Sequence, residues 1–147
     1  MKTTDKNTEI CNSLLRGELS AIETYTQAIE KFADHSDENP LRRIRSEHEA
    51  AASSLSEIVG ENGEEPATGS GPWGTFATAV EGAATLFGES PALSILQQGE
   101  EHGITEYENA LAGDDLDEHA MRLIRDKLLP AQRKHIIALK QCKSEAV

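Results

Sequence analysis

Through most of this chain apolar residues recur at steps of three and four, and β-branched or aromatic runs bounded by tight turns are missing. That periodicity gives each segment one apolar face to bury, which is the signature of an amphipathic helix. The spacing predicts an all-α protein. A first helix is expected from Asp5 to Ala33 on the stripe Cys11, Leu14, Ala21, Tyr25, Ala28 and Phe32. Beyond the stop DHSDENP, Asn39 as N-cap and Pro40 at the first helical position open a second. Its stripe is Leu41, Ile44, His48, Ala51, Leu55 and Ile58, and Gly60, Asn62 and Gly63 end it. Ser90 and Pro91 open a third helix, with Leu93, Leu96, Glu100, Gly103, Tyr107 and Ala110 on one face. After a turn at Gly113, Asp114 and Asp115, a fourth helix carries Met121, Ile124, Leu128, Ala131, His135, Ala138 and Cys142 and frays in the tail SEAV. Pro130 lies inside it and should kink or split it, since proline removes a backbone hydrogen bond and clashes with the preceding turn.

Between the second and third helices the composition shifts to Gly, Ser, Thr, Ala and Pro, with a short helix expected from Thr75 to Phe87. A stretch of that length exceeds what two adjacent antiparallel helices need. Its meaning comes from a match between the first and third helices, GELSAIETYTQAI at residues 17–29 and GEEHGITEYENAL at 99–111. Gly17, Glu18, Ile22, Tyr25 and Ala28 correspond to Gly99, Glu100, Ile104, Tyr107 and Ala110. The chain reads as two repeated helical hairpins, 5–60 and 91–143, joined by a crossover over 61–90, in a single domain spanning 1–147. A crossover running the length of an antiparallel four-helix bundle relates the hairpins by a two-fold axis. It also puts Cys11 and Cys142 at opposite ends, so no disulfide is expected between them.

The chain has 147 residues and a formal charge of −12, with no basic cluster denser than Arg42, Arg43 and Arg45. That balance argues against binding nucleic acid or an anionic membrane. No apolar run approaches a membrane span, the N-terminus has no signal-peptide core, and two cysteines make neither a disulfide scaffold nor a zinc finger. The expected setting is cytoplasmic. The apolar linker residues Trp73, Phe76, Val80 and Phe87 suggest a homodimer contact or a cap on the bundle.

Glu followed seven residues later by Tyr, given twice on the first and third helices around a long crossover, resembles the ferritin-like superfamily, which includes the bacterioferritins and rubrerythrins. The GE-x6-Y-x2-A segment, the Gly/Ser linker before a short helix and a late His on the fourth helix are similar, more closely, to an uncharacterised bacterial family of ferritin-like four-helix bundles, a domain of unknown function. The resemblance covers roughly residues 8–142 and implies no established activity. In ferritin-like enzymes two metals are held by a single Glu from each of two helices and a Glu-x-x-His pair from each of the others. Glu18 and Glu100 match the single glutamates. The Glu-x-x-His pairs are absent, because Arg45 precedes His48 by three residues and Gln132 precedes His135 by three.

Both histidines nevertheless lie on apolar stripes, so Glu18, His48, Glu100 and His135 make up a reduced two-His, two-Glu set suited to iron, zinc or manganese. With turns centred near residues 36 and 114, each histidine lies about 10 Å along the axis from the level of its hairpin's glutamate. The expectation is that the histidines meet each other and Tyr25 rather than that all four ligands converge. Without a metal, the carboxylates need partners among Tyr, Ser54, His or each other. Tyr25 and Tyr107 read as core residues with satisfied hydroxyls, His35, His102 and His119 as solvated surface, and Cys142 as unreactive. Three functions compete: a metal-binding bundle, a non-catalytic structural or stress-associated interaction module that has lost its metal, and a di-iron oxidase or peroxidase. The missing Glu-x-x-His pairs place the enzyme last.

Overall fold

The amphipathic segments fold as α1 (Lys2–Lys31), α2 (Glu38–Glu61) and α3 (Glu89–Ala112). A fourth arm follows, built from α4 (Glu118–Leu123), a π-helical turn (Ile124–Leu128) and α5 (Leu129–Glu145). The computed structural model describes residues 2–31, 38–69 and 89–145, and among these residues there is no strand. The expected short helix from Thr75 to Phe87, the apolar residues Trp73, Phe76, Val80 and Phe87 on which a homodimer contact was expected, and the first interhelical turn with His35 lie outside the described residues.

Two apolar clusters fix how the arms run. In one, Cys11, Leu14 and Leu15 from the first half of α1 pack with Leu55, Ile58 and Val59 from the end of α2 and with Leu116, Ala120 and Ile124. In the other, Tyr25, Ala28 and Ile29 from the end of α1 meet Leu41 and Ile44, Leu93 and Leu96, and Leu139 and Cys142. Helix α2 therefore ends, and α3 begins, at opposite ends of the bundle, so α1 and α3 run antiparallel, as do α2 and α5. Cys11 and Cys142 sit in different clusters, both buried and neither in a disulfide. Between the clusters lies a buried polar layer of Glu18, His48, Glu100, Gln132 and His135.

Helix boundaries follow local chemistry. Gly63, at φ 84°, ends α2 in a left-handed turn. There the Gly63 amide donates to the Gly60 carbonyl and the Glu64 amide to the Val59 carbonyl, the paired bonds of a Schellman cap. Asp117 caps α4 by accepting from the Ala120 amide. Pro40 and Pro91 are the third residues of their helices rather than the first. The first turn tolerates this because its amides have no intrahelical partner to lose. Of the tail SEAV, Ser144 and Glu145 are helical, and residues 146 and 147 lie outside the described residues. The disruption expected from Pro130 takes the form of the π-turn: the Leu129 amide donates back five residues to the Ile124 carbonyl, and the widened turn makes room for the proline two residues into α5.

The start of α1 is tied to both hairpins. Asn7, fully buried, accepts from the Asp117 amide at 2.8 Å and donates to the Asp117 carboxylate at 3.2 Å. Asn12 accepts from the Ala67 amide at 2.8 Å, which holds the segment after α2 against α1. Asn7→Ala removes two hydrogen bonds and strips the Asp117 amide of its acceptor, so unfolding in urea is expected to show a loss of about 1–3 kcal/mol. An unchanged urea midpoint would mean that this clasp contributes nothing.

Candidate metal centre

Glu18 and Tyr25 are two helical turns apart on α1, as Glu100 and Tyr107 are on α3. Residues at that spacing share a face, about 10 Å apart along the axis. Because α1 and α3 are antiparallel, each tyrosine comes level with the glutamate of the other helix. Tyr25 Oη donates to Glu100 Oε2 at 2.6 Å, and Tyr107 Oη donates to Glu18 Oε2.

The histidines of the other two arms close the layer. His48 Nδ1 lies 2.5 Å from Glu18 Oε1 and its Nε2 lies 2.7 Å from Glu100 Oε2, so one imidazole bridges both carboxylates. His135 Nδ1 is 3.1 Å from Glu100 Oε1, and its Nε2 is 2.7 Å from Glu47 Oε1. The two imidazole rings are 4.8 Å apart, and the Tyr25 ring stacks on His48 at 5.4 Å. Glu18 and Glu100 are 5% and 2% exposed, against 47% for the Glu47 side chain, so the cluster reaches solvent through Glu47.

Proton placement follows from these contacts. Burial alone would raise the Glu100 pKa, but the positive charge of His48 and the hydrogen bonds from His135 and His48 outweigh it and hold the carboxyl well below its usual range. Burial would likewise lower the His48 pKa, yet the carboxylates of Glu100 and Glu18, with their hydrogen bonds, lift it well above 6.5. His48 is an imidazolium that donates from both nitrogens to two carboxylates. Burial, then the neighbouring carboxylates, raise both tyrosines well above their ordinary value, so each remains a hydroxyl donor. The Cys11 thiol is pushed up to about 11 by burial and by Asp117, which leaves it no nucleophilic role at neutral pH.

All four sequence-derived ligands, Glu18, His48, Glu100 and His135, therefore meet in one layer, which corrects the expectation that the histidines stand about 10 Å off level. In the first hairpin, His48 and Glu18 close the gap with the length of their side chains, which brings His48 Nδ1 to 2.5 Å from Glu18 Oε1. In the second hairpin the centre falls at residue 115, and the π-turn absorbs one further residue before His135. Both tyrosines are buried and satisfied as expected. His102 pairs on the surface with Glu106 at 3.4 Å, and His119 is exposed. Arg45 turns away from the layer to reach Thr26 Oγ1 at 3.3 Å. Glu47 was not anticipated; an exposed carboxylate carries no periodic signal, and its place beside His48 in sequence gives no hint that it serves His135.

The donor set suits a divalent cation. Ligand atoms of His48, Glu100 and His135 lie within 4.8 Å of one another. A tetrahedral ion at 2.0–2.2 Å from each ligand sets neighbouring ligand atoms about 3.4 Å apart. The N···O separations of 2.5–3.1 Å here are those of proton-linked groups, so admitting an ion requires small side-chain rotations and loss of the His48 proton. Glu47 would keep a proton on His135 Nε2 and point Nδ1 at the centre, the familiar carboxylate support of a metal-bound histidine.

Among the described residues no helix is long and apolar enough to cross a membrane. A comparison with protein families matches residues 6–113 to the Domain of unknown function (DUF2383). No curated protein and no solved structure matches the chain.

The two shifted groups give a pH dependence with a definite sign. The depressed Glu100 contributes stability above the ordinary carboxylate value of 4.5 and loses it as pH falls. The raised His48 contributes fully below 6.5 and loses it as pH rises through its elevated value. In chelator-treated protein, the urea midpoint is expected to be higher at about pH 6 than at about pH 9, and His48→Gln should flatten the alkaline decline. A midpoint that rises from pH 6 to pH 9 would contradict a protonated His48.

Proposed function

We propose, from the premise that the chain belongs to the DUF2383 family, that it is a ferritin-like bundle that binds one divalent ion, iron, zinc or manganese, between Glu18, His48, Glu100 and His135. The observation that carries this reading is the convergence of two carboxylates and two imidazoles, one from each of four helical arms, on a single buried layer. Two carboxylates held at the centre of a bundle by one shared imidazolium leave an excess of negative charge, which a dication neutralises better than a proton. The matched Glu-x6-Tyr segments and the antiparallel run of α1 and α3 further support the ferritin-like relationship and a duplicated hairpin. When bound, such an ion supplies Lewis acidity, and iron or manganese also supplies redox chemistry. The chain's own contributions are the two tyrosine hydroxyls that orient the carboxylates, and Glu47, which orients His135.

A second reading is favoured by a specific observation: every nitrogen and carboxylate oxygen of Glu18, His48, Glu100 and His135 already has a protein partner. A fully satisfied polar layer can serve as a structural lock without any ion, as in an interaction module that has lost its metal. The di-iron oxidase stands behind both, since Arg45 and Gln132 occupy the positions where each second glutamate would be needed.

The two readings separate in one experiment on untagged protein. The metal reading predicts about one equivalent of zinc, manganese or iron per chain by elemental analysis. It also predicts a melting temperature that rises with added ion, by about 2.7 kcal/mol of stabilisation at a hundredfold excess over Kd. The Glu18→Gln, Glu100→Gln double variant should retain the hydroxyl hydrogen bonds and bind no ion. Wild-type protein that takes up no ion and melts identically with and without chelator would leave the structural lock as the function of the layer.

A further inference from the structure

A cleft with about 60 Å³ open to water-sized molecules separates α1 from α3. It extends from half-exposed residues at its mouth, Glu106 with His102 beside it, to the buried Glu18 and Glu100. Small residues hold it open. At Gly17 an added Cβ would meet nothing within 4 Å. At Gly103 an added Cβ would lie 2.1 Å from Gln132 Nε2 and 2.9 Å from its Cδ, so the absence of a side chain there is what lets Gln132 lie against α3.

Gln132 is the independent sign that something polar visits this cleft. It is 5% exposed, it lines the cleft, and its carbonyl oxygen has no hydrogen-bond partner among the described residues. A buried acceptor without a donor is costly, and native structures seldom keep one without a use. Among the described residues that line the cleft, Glu18, Glu100 and Glu106 are the carboxylates, and there is no Lys or Arg. Those three carboxylates against the single imidazolium of His48 leave the lining net negative, and with the bare Gln132 carbonyl on the same wall this favours a small hydrated cation and repels anions.

We infer that the cleft between α1 and α3 is the access route of a divalent cation to the buried layer, with Glu106 at its mouth and the Gln132 carbonyl as an intermediate station. This rests on the metal-binding reading, and it adds the path, its direction and its gatekeeping residues. The cation sheds part of its hydration against Gln132 before the carboxylates of Glu18 and Glu100 take it. Ions leave by the same path, so an obstruction slows loading and release by the same factor and leaves the affinity alone.

The test is stopped-flow mixing of the full chain with Co²⁺, followed through the visible absorption of the bound ion, and release into excess chelator. Gly17→Leu projects a side chain into the cleft and replaces a mid-helix glycine with a better helix former, so the fold should tolerate it. It is expected to slow both loading and release at least tenfold at unchanged final stoichiometry. Gln132→Leu, which removes the acceptor and keeps the volume, is expected to slow loading at least threefold and decides the matter if Gly17→Leu does not fold. Wild-type protein that binds Co²⁺ while both variants load and release at its rates overturns the route and leaves the metal site standing. Wild-type protein that binds no Co²⁺ overturns both.

Discussion

Two carboxylates buried in the middle of a helical bundle are the constraint on which the rest of this structure depends. An unpaired carboxylate in such a place costs several kcal/mol, enough to rival the net stability of a small domain. Here the cost is met by a single imidazolium, His48, placed between Glu18 and Glu100 at 2.5 and 2.7 Å, with a tyrosine hydroxyl on each carboxylate from the opposite helix. Removing any one member strands the others in a low-dielectric interior. The layer therefore fixes register as well as charge: sliding α1 against α3 by one turn would part both Tyr–Glu pairs at once.

The same constraint explains the topology. A Glu-x6-Tyr pair on each of two helices can satisfy itself reciprocally only if the helices run antiparallel, which places the end of α2 and the start of α3 at opposite ends of the bundle. The apolar clusters close the layer off above and below, and the few polar ties at the start of α1, through Asn7 and Asn12, hold the two hairpins to that register. The symmetry is broken at the histidines. Glu47 precedes His48 in the chain and partners His135, whereas the residue preceding His135 is Lys134, which can accept nothing from His48. His48 turns both nitrogens inward instead, and the centre acquires one bridging imidazole and one that connects to the surface.

The helices and their stripes were legible because burial of one face imposes a period that composition alone does not. Gly63 marked a helix end because a left-handed turn demands a residue without a side chain. The repeated Glu and Tyr pointed to the polar layer for the same reason, since a carboxylate on an apolar stripe needs a partner. The convergence of the histidines was not legible. It depends on how far long side chains reach across the bundle, and on a π-turn that Pro130 announces only as a disturbance of unspecified form. Glu47 was invisible for a different reason: its role is set by the approach of α2 to α5 across the bundle, and no local pattern records that.

X-ray absorption spectroscopy of zinc-loaded protein tests the central claim most directly, because it reads the atoms around the ion without assuming a function. The account predicts a shell of two imidazole nitrogens and two carboxylate oxygens at about 2.0–2.2 Å, with multiple-scattering features of histidine and no sulfur. The histidine signal should fall by half in His135→Gln. A shell of oxygens alone, as on an acidic surface, or one containing a sulfur near 2.3 Å from Cys11 or Cys142, would contradict it.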